Sequence, residues 1–302
     1  MPFLDRLAYL LAVLLVGAAL GAVGVLDDRR TGWLTAVAFY VALPALIFHS
    51  THDRPLSELL SPRLVGGFWL VMVATVAVAA VVHRGIETRP TRSVAIVQSY
   101  HSNLGFLGLP LVASTLGTLA AAKASVVLGA GVLLHVPLTI VLLTTINDAD
   151  AEPLVEVRRV LYNPVIWSLA VGLAVAALAL SVPGPVTATT GRVSEFALPL
   201  ALLAVGASLD VRLPAGQVAT TGRVVVLNVA LMPLLALGVY EVLAVEGTAR
   251  AAAVVMAGAP TAVSTYVYAA ELGGDEQFAS FNVFATTLVS VGTLYGVLWL
   301  VA

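Results

Sequence analysis

A run of polar residues interrupts an apolar segment in the first half of the chain. Within the stretch 93–116, six side chains able to form hydrogen bonds are followed by helix-weakening residues: Gln98, Ser99, Tyr100, His101, Ser102, Asn103, then Gly105, Gly108 and Pro110. On a regular helix such a run would point in every direction, so part of it must face protein or water. Glycine and proline weaken the helical ladder, and the freed backbone groups can bind a ligand. The alternative is an ordinary kinked helix with internal hydrogen bonds.

The stretch 251–272 in the second half repeats this combination. Two helix-weakening residues, Gly258 and Pro260, precede a second cluster of polar side chains: Thr261, Ser264, Thr265 and Tyr266. Two interrupted segments in corresponding positions of two halves are the sequence indication of a transporter's substrate site. If both are discontinuous helices that cross, their inner N-termini carry unpaired N–H groups and partial positive charge, which suit an anion.

We therefore predict that both segments supply substrate-binding residues: Ser102, Asn103, Gly105, Gly108, Pro110, Pro260, Thr261, Ser264, Thr265 and Tyr266. Three further side chains are candidates for a proton or ion relay: Gln98, His101 and His135. Histidine is the side chain that titrates near neutral pH, and an ionisable group inside a membrane span is a functional candidate. For His135, a neutral ring bonded to a neighbouring helix is the alternative.

The elements that must position these residues are membrane spans. Hydrophobic residues make up 60% of the chain, charged residues 11%, and the mean hydropathy is +1.00. A hydrocarbon core about 30 Å thick requires about 20 apolar residues per helix. The sequence predicts an all-α membrane protein with ten transmembrane helices, at 7–26, 33–50, 64–83, 93–116, 119–145, 162–181, 187–209, 219–244, 251–272 and 276–301.

The two halves of the chain share a sequence pattern. ALPALIF around Pro44 and ALPLALL around Pro199 are offset by half the chain, which indicates an internal repeat. Five spans per copy would place the second copy upside down in the membrane, the inverted-repeat plan of secondary transporters. We predict a first repeat at 1–145, a central cytoplasmic loop at 146–161 and a second repeat at 162–302, with segments four and nine broken and crossed.

Composition excludes several classes of function. The net charge of −2 gives no electrostatic basis for binding nucleic acid. Without cysteine the chain has no disulfides or thiolate metal sites, and we expect no cofactor and no metal. No phosphate-binding loop of the Walker type is present, so ATP-driven pumping within this chain is unsupported. Ser208 could serve a hydrolase, but no histidine can be placed beside it.

Loop charges predict the orientation. Nine lysine and arginine residues fall on the side opposite the N-terminus and six on the N-terminal side. Because positive loops stay in the cytoplasm, both termini are predicted to be extracellular in a multi-pass protein of the plasma membrane. Its partners would be membrane lipid and a small organic anion, and a homodimer remains open.

Several motifs resemble one family. Asn103 and Pro110 in NLGFLGLP, Asn163-Pro164 at the sixth span, and Pro260 in APTA are similar to the auxin efflux carrier family. The resemblance covers essentially the whole chain. It implies a scaffold from spans 1, 2, 6 and 7, a transport part from spans 3–5 and 8–10, and substrate contact by Asn103. It also implies export or exchange of organic anions such as dicarboxylates or indole-type acids.

The predicted function is therefore a secondary transporter for small organic anions with an elevator-type, alternating-access mechanism. A cation/proton antiporter or sodium-coupled carrier of the same architecture is an alternative, and a transporter-like membrane receptor is another. Plant members of the family that this chain resembles carry an acidic residue in the third helix, whereas the span 64–83 has none. We expect anion movement driven by the membrane potential, with His101 and His135 as the fallback proton carriers.

Overall fold

The computed structural model describes residues 2–150, 158, 160–208 and 216–301, with side chains from residue 8 onward. The predicted central loop at 146–161 falls largely on 151–157 and 159, which lie outside the described residues. Helices account for 82% of the described chain, and the extended pairing within it is one isolated bridge.

Twelve helices are labelled here in chain order; single-turn Leu56–Leu59 is left unlabelled. They are α1 Pro2–Ala22, α2 Asp28–Thr51, α3 Pro62–Val82, α4 Arg89–Tyr100, α5 Leu104–Leu116, α6 Thr118–Asn147, α7 Pro164–Ala177, α8 Gly184–Ala207, α9 Val218–Val242, α10 Gly247–Ala257, α11 Ser264–Glu271 and α12 Glu276–Val301. Within the described residues, six are long and apolar enough to cross a membrane: α2, α3 with its preceding turn, α6, α8, α9 and α12. Four shorter apolar helices accompany them, in α1, α5, α7 and α10.

Both predicted interruptions are present. α4 ends at Tyr100 and α5 begins at Leu104, and α10 ends at Ala257 while α11 begins at Ser264. Asn163 caps the helix that follows it, since its side-chain oxygen accepts from the Val165 N–H at 2.9 Å. A glycine turn closes the α11–α12 connection, where Gly273 has a φ of 70° that other residues rarely adopt.

In the described part of the chain, three helices contain a π-helical stretch that ends two residues before a proline. The stretches are Ala38–Ala42, Leu104–Gly108 and Val226–Leu231, and they precede Pro44, Pro110 and Pro233. Proline has no N–H to donate, and its ring displaces the carbonyl four residues earlier. The neighbouring N–H groups then bond one residue further back, as Leu109 does to the Leu104 carbonyl.

Close helix contacts build one side of the fold. α1 packs along α8 through glycine: a Cβ at Gly206 would lie 2.2 Å from the Leu14 carbonyl oxygen, and one at Gly17 would lie 2.5 Å from that of Leu203. α7 and α8 both pack against the second half of α2. The interrupted helices lie against α6, α9 and α12, around a core whose largest buried side chains include Tyr100, Tyr240 and Phe68.

Candidate functional site

The two interruptions meet and pair with each other. Ser102 and Thr261 form an antiparallel bridge. The N–H of Asn103 donates to the Pro260 carbonyl at 2.7 Å, and the N–H of Ala262 donates to the His101 carbonyl at 2.9 Å. Each break therefore satisfies backbone groups that the other break frees, which allows irregular backbone in the interior of a helical protein.

A cavity of about 180 Å³ opens beside this pairing. Its lining combines polar groups from both interruptions with apolar side chains from α2, α6 and α7: Phe39, Leu43, His101, Ser102, Asn103, Leu104, Gly105, Phe106, Leu128, Val132, His135, Val136, Asn163, Val165, Ala262, Val263, Ser264 and Tyr268. No aspartate, glutamate, lysine or arginine is among these described lining residues. We call this space the crossover cavity.

Two helices begin at the wall of the crossover cavity. The first residues of α5 and the residues around Ser264 at the start of α11 both line it. The first N–H groups of a helix have no partner within the helix, and the aligned peptide dipoles leave about half a positive charge there. The cavity thus receives positive potential from two directions although no lysine or arginine is among its described lining residues.

Asn103 lies at the end of one of these dipoles. Its side-chain oxygen accepts from the Phe106 N–H at 3.0 Å, so the residue caps α5. Because the oxygen is engaged in the cap, the side-chain NH₂ is the group left to donate to a ligand. Asn163, which caps α7 in the same way, also lines the cavity.

Two histidines form part of the same wall. The rings of His101 and His135 stack with their centroids 4.3 Å apart and their planes 15° apart. The hydroxyl of Thr139 lies 2.8 Å from His101 Nδ1 and 2.8 Å from the Tyr100 hydroxyl. Nε2 of His135 is buried and has no hydrogen-bond partner. Both histidines line the crossover cavity, whereas the third relay candidate, Gln98, does not.

That candidate, Gln98, is buried in a different environment. Its side-chain nitrogen donates to Thr265 Oγ1 and to the Ala279 carbonyl, each at 2.9 Å, and its oxygen accepts from Asn282 at 2.8 Å. The carboxamide therefore joins α4 to α11 and α12 and has little bonding capacity left for an ion.

The other predicted residues are distributed around the pairing. Pro260 and Thr261 supply backbone to it, and Thr261 Oγ1 also donates to the His101 carbonyl at 3.3 Å. Gly108 allows α5 to approach α10, since a Cβ there would lie 2.8 Å from Met256 Sδ. Tyr266 is 38% exposed and does not line the crossover cavity.

Pro110 lines a second, larger cavity of about 450 Å³. This space lies at the far ends of α2 and α5 and is bounded by α1, α6 and α8 as well: Tyr9, Leu46, His49, Ser50, Pro110, Ala113, Ser114, Thr118, Ala121, Gly191, Ser194, Glu195, Leu198 and Pro199. Along α2 the two cavities use successive parts of the helix, Phe39 and Leu43 for one and Leu46 to Ser50 for the other. We call it the scaffold-side cavity.

Most lining residues of the crossover cavity were missed as site residues from the sequence, among them Tyr268, Asn163 and Phe39. Tyr268 follows Ser264 by one helical turn, so the spacing of α11 could have identified it. Asn163 was noted from the sequence only as part of a family motif, and Phe39 has no polar side chain that would mark it as a site residue. In the described part of the chain, no group of three or more histidine, aspartate and glutamate side chains is placed to hold a metal ion.

Comparison with known proteins places this geometry in a family context. The family model described as "Membrane transport protein" matches residues 2–298. A protein of Rhizobium meliloti (strain 1021) named "Putative malonate transporter" is 28% identical over 287 residues, covering 89% of this chain and 87% of that protein. An "Uncharacterized transporter" of Methanothermobacter thermautotrophicus (strain Delta H) is 27% identical over 288 residues, covering 94% and 93%.

Proposed function

Because this chain belongs to the auxin efflux carrier family of membrane transport proteins, we propose that it is a secondary transporter for small organic anions. It is a multi-pass membrane transporter and not an enzyme. Short dicarboxylates are the first substrate class to test, since the name of one relative includes malonate. Larger weak acids of the indole type are the second class.

The observation that carries this proposal is the chemistry of the crossover cavity. Two helix N-termini, the amides of Asn103 and Asn163 and the hydroxyl of Ser264 border one space. These are hydrogen-bond donors suited to carboxylate oxygens. A cation carrier would instead need carboxylates at this point, and the described lining has none. The cavity therefore favours an anion over a cation.

The proposed architecture is ten spans in two inverted copies of five, within 1–145 and 162–302. Counting α4 with α5 and α10 with α11 as broken spans four and nine gives this number. The antiparallel pairing of Ser102 with Thr261 supports two copies that meet in opposite senses. We also propose the plasma membrane as the location, with both termini extracellular.

An elevator-type movement fits the two cavities. The scaffold would consist of α1, α2, α7 and α8, which pack on one another, and the interrupted helices would move against it. The crossover cavity and the scaffold-side cavity lie at different depths along α2, where that helix faces the interrupted segments. Sliding the crossover past α2 would carry a bound anion from one side toward the other.

A binding and flux experiment tests the proposal. Purified protein should be stabilised against heat by malonate or a related dicarboxylate in a saturable manner, because a ligand that binds only the folded state raises its stability. Proteoliposomes loaded with that dicarboxylate should exchange it for labelled external dicarboxylate. Saturable binding without any exchange would indicate a receptor and contradict transport.

Asn103→Ala tests the site within the same assay. Loss of one hydrogen bond to a charged ligand group should cost about 1–3 kcal/mol, which corresponds to roughly 5- to 150-fold weaker binding. Asn147→Ala is the matched control: its amide donates to the Leu272 carbonyl and lines neither cavity. Equal dicarboxylate affinity in the two folded variants would refute the assignment of Asn103.

A further inference from the structure

The crossover cavity has an unusual charge balance for a dianion site. Helix N-termini supply only partial charges of about one half each, and no lysine or arginine is among the described residues that line the cavity. A dicarboxylate brings two full negative charges into a cavity with a mainly apolar lining, and an uncompensated charge in such surroundings is costly. One more unit of positive charge is needed for tight binding.

Only two side chains of the described lining can acquire that charge near neutral pH. They are His101 and His135, which are 5% and 2% exposed and stack at 4.3 Å. Two imidazolium ions in such contact would repel, so the pair can accept one proton but not two. Because a charged buried ring needs a partner, the pair stays neutral while the cavity is empty.

We propose that the His101–His135 pair takes up one proton together with each dicarboxylate that binds in the crossover cavity. This inference rests on the proposed function. It departs from the expectation that the membrane potential alone drives anion movement, because the structure brings the two histidines together at the crossover cavity. The transported unit is then a dicarboxylate and a proton, carrying one net negative charge.

The hydrogen bonds define where the proton can reside. His101 Nδ1 is engaged by the Thr139 hydroxyl, which leaves Nε2 of that ring, and Nε2 of His135 has no partner at all. The proton comes from solution with the anion and is held at one of these nitrogens. It is released to solution when the anion leaves, so the imidazole pair is neutral again after each cycle.

Among the described residues that contact the two histidines, no other group would take up this proton near neutral pH. The ionisable side chains that face the pair are Tyr100 and Tyr268, with ring centroids 5.8 Å from His135 and 6.3 Å from His101 respectively. The other charged and titratable residues on α2, α3, α4, α6, α10 and α11 do not line the cavity: Asp28, Arg29, Arg30, Tyr40, His49, Arg63, Arg89, Arg92, Lys123, Arg250, Tyr266 and Glu271. Along α6, Lys123 stands about 18 Å from His135 at 1.5 Å per residue.

Calorimetric titration of the purified full chain with malonate is the decisive measurement. At about pH 7.5 carboxylates are ionised and free imidazole is mostly neutral, so any proton taken up goes to the protein. Repeating the titration in buffers of different ionisation enthalpy gives the number of protons bound per malonate, and we expect about one. Malonate affinity should also rise about tenfold for each unit by which the pH falls, while the free pair stays neutral.

Variants then locate the proton. The double variant His101→Gln/His135→Gln should bring proton uptake close to zero and flatten the pH dependence of malonate affinity, because either single variant keeps one imidazole that can hold the proton. His52→Gln is the matched control, since its ring stacks on Phe48 and lines neither cavity. If the double variant fails to fold, imidazole nitrogen NMR of histidine-labelled wild-type protein should show a new charged ring on addition of malonate.

Malonate binding by the wild type with no proton uptake would overturn the inference and leave the proposed function standing. Proton uptake that survives in the folded double variant would overturn it as well. Absence of any carboxylate binding or exchange by the wild type would instead count against the proposed function itself.

Discussion

At the scale of single residues, Asn103 combines a structural role with a proposed binding role. Its oxygen caps α5 through the Phe106 N–H, and its nitrogen remains for a ligand. A residue that uses its two amide ends in this way connects the position of the ligand to the geometry of the helix start. Loss of the cap and loss of the ligand contact can therefore be separated by substitution.

Asn103→Asp separates these roles. A carboxylate still accepts from the Phe106 N–H, so the folded protein should keep a wild-type melting temperature within a few degrees. It also places a negative charge in the crossover cavity, so under the proposed function dicarboxylate binding should fall by more than in Asn103→Ala. Thermal melting and a dicarboxylate titration of both variants measure this. Tighter binding in Asn103→Asp than in Asn103→Ala would show that the cavity does not select anions.

At the scale of elements, hydrogen bonds from Gln98 hold the interrupted helices together. The side chain joins α4 to α11 and α12 through three partners. We expect Gln98→Ala to lower the free energy of unfolding by about 1–3 kcal/mol, because it leaves the buried side-chain nitrogen of Asn282 without its acceptor and removes the donor to Thr265 and Ala279. The control is Gln277→Ala, an exposed glutamine on α12. If Gln98→Ala keeps wild-type stability but changes the ion dependence of transport, the relay role predicted from the sequence is correct instead.

The contact between α1 and α8 gives a second prediction at this scale. A Cβ at Gly206 would lie 2.2 Å from the Leu14 carbonyl oxygen, and backbone on both sides leaves no flexible atom to move. Gly206→Ala should therefore reduce stability by about 1–3 kcal/mol, the usual cost of overpacking. Gly222→Ala, at an exposed helical site where nothing lies within 4 Å, should be neutral or stabilising. Melting temperatures of the two variants compare them, and equal values would argue against a rigid α1–α8 pair.

At the scale of the whole molecule, the two cavities predict access from opposite faces of the membrane. The chain has no cysteine, so single cysteines can be introduced without a background. Ser264→Cys lies at the crossover cavity and Ser194→Cys at the scaffold-side cavity. Membrane-impermeant thiol reagents should label the two positions preferentially from opposite sides, and malonate should protect Ser264→Cys. Labelling of both positions from one face only would contradict alternating access between these cavities.

Local sequence patterns were sufficient for most of the helices and for the two interruptions. The length of an apolar segment identifies a helix that spans a membrane. Glycine, proline and runs of polar residues identify where its backbone hydrogen bonds are interrupted. Helix ends were less accurate: α1 begins at Pro2 and not at residue 7, because hydropathy reports depth in the membrane while a helix can continue through polar residues. The family was also readable from motifs spread along the chain.

Only the tertiary structure decided which of the predicted polar residues share a cavity. The stacking of His135 on His101, the position of Gln98 between helices and the presence of Phe39 and Tyr268 in the lining depend on how distant helices pack. Hydrophobic periodicity and helix-weakening residues are properties of neighbouring positions, whereas these contacts join positions far apart in the chain. The sequence by itself therefore determined where the backbone is interrupted, and packing determined which side chains face the space that the interruptions create.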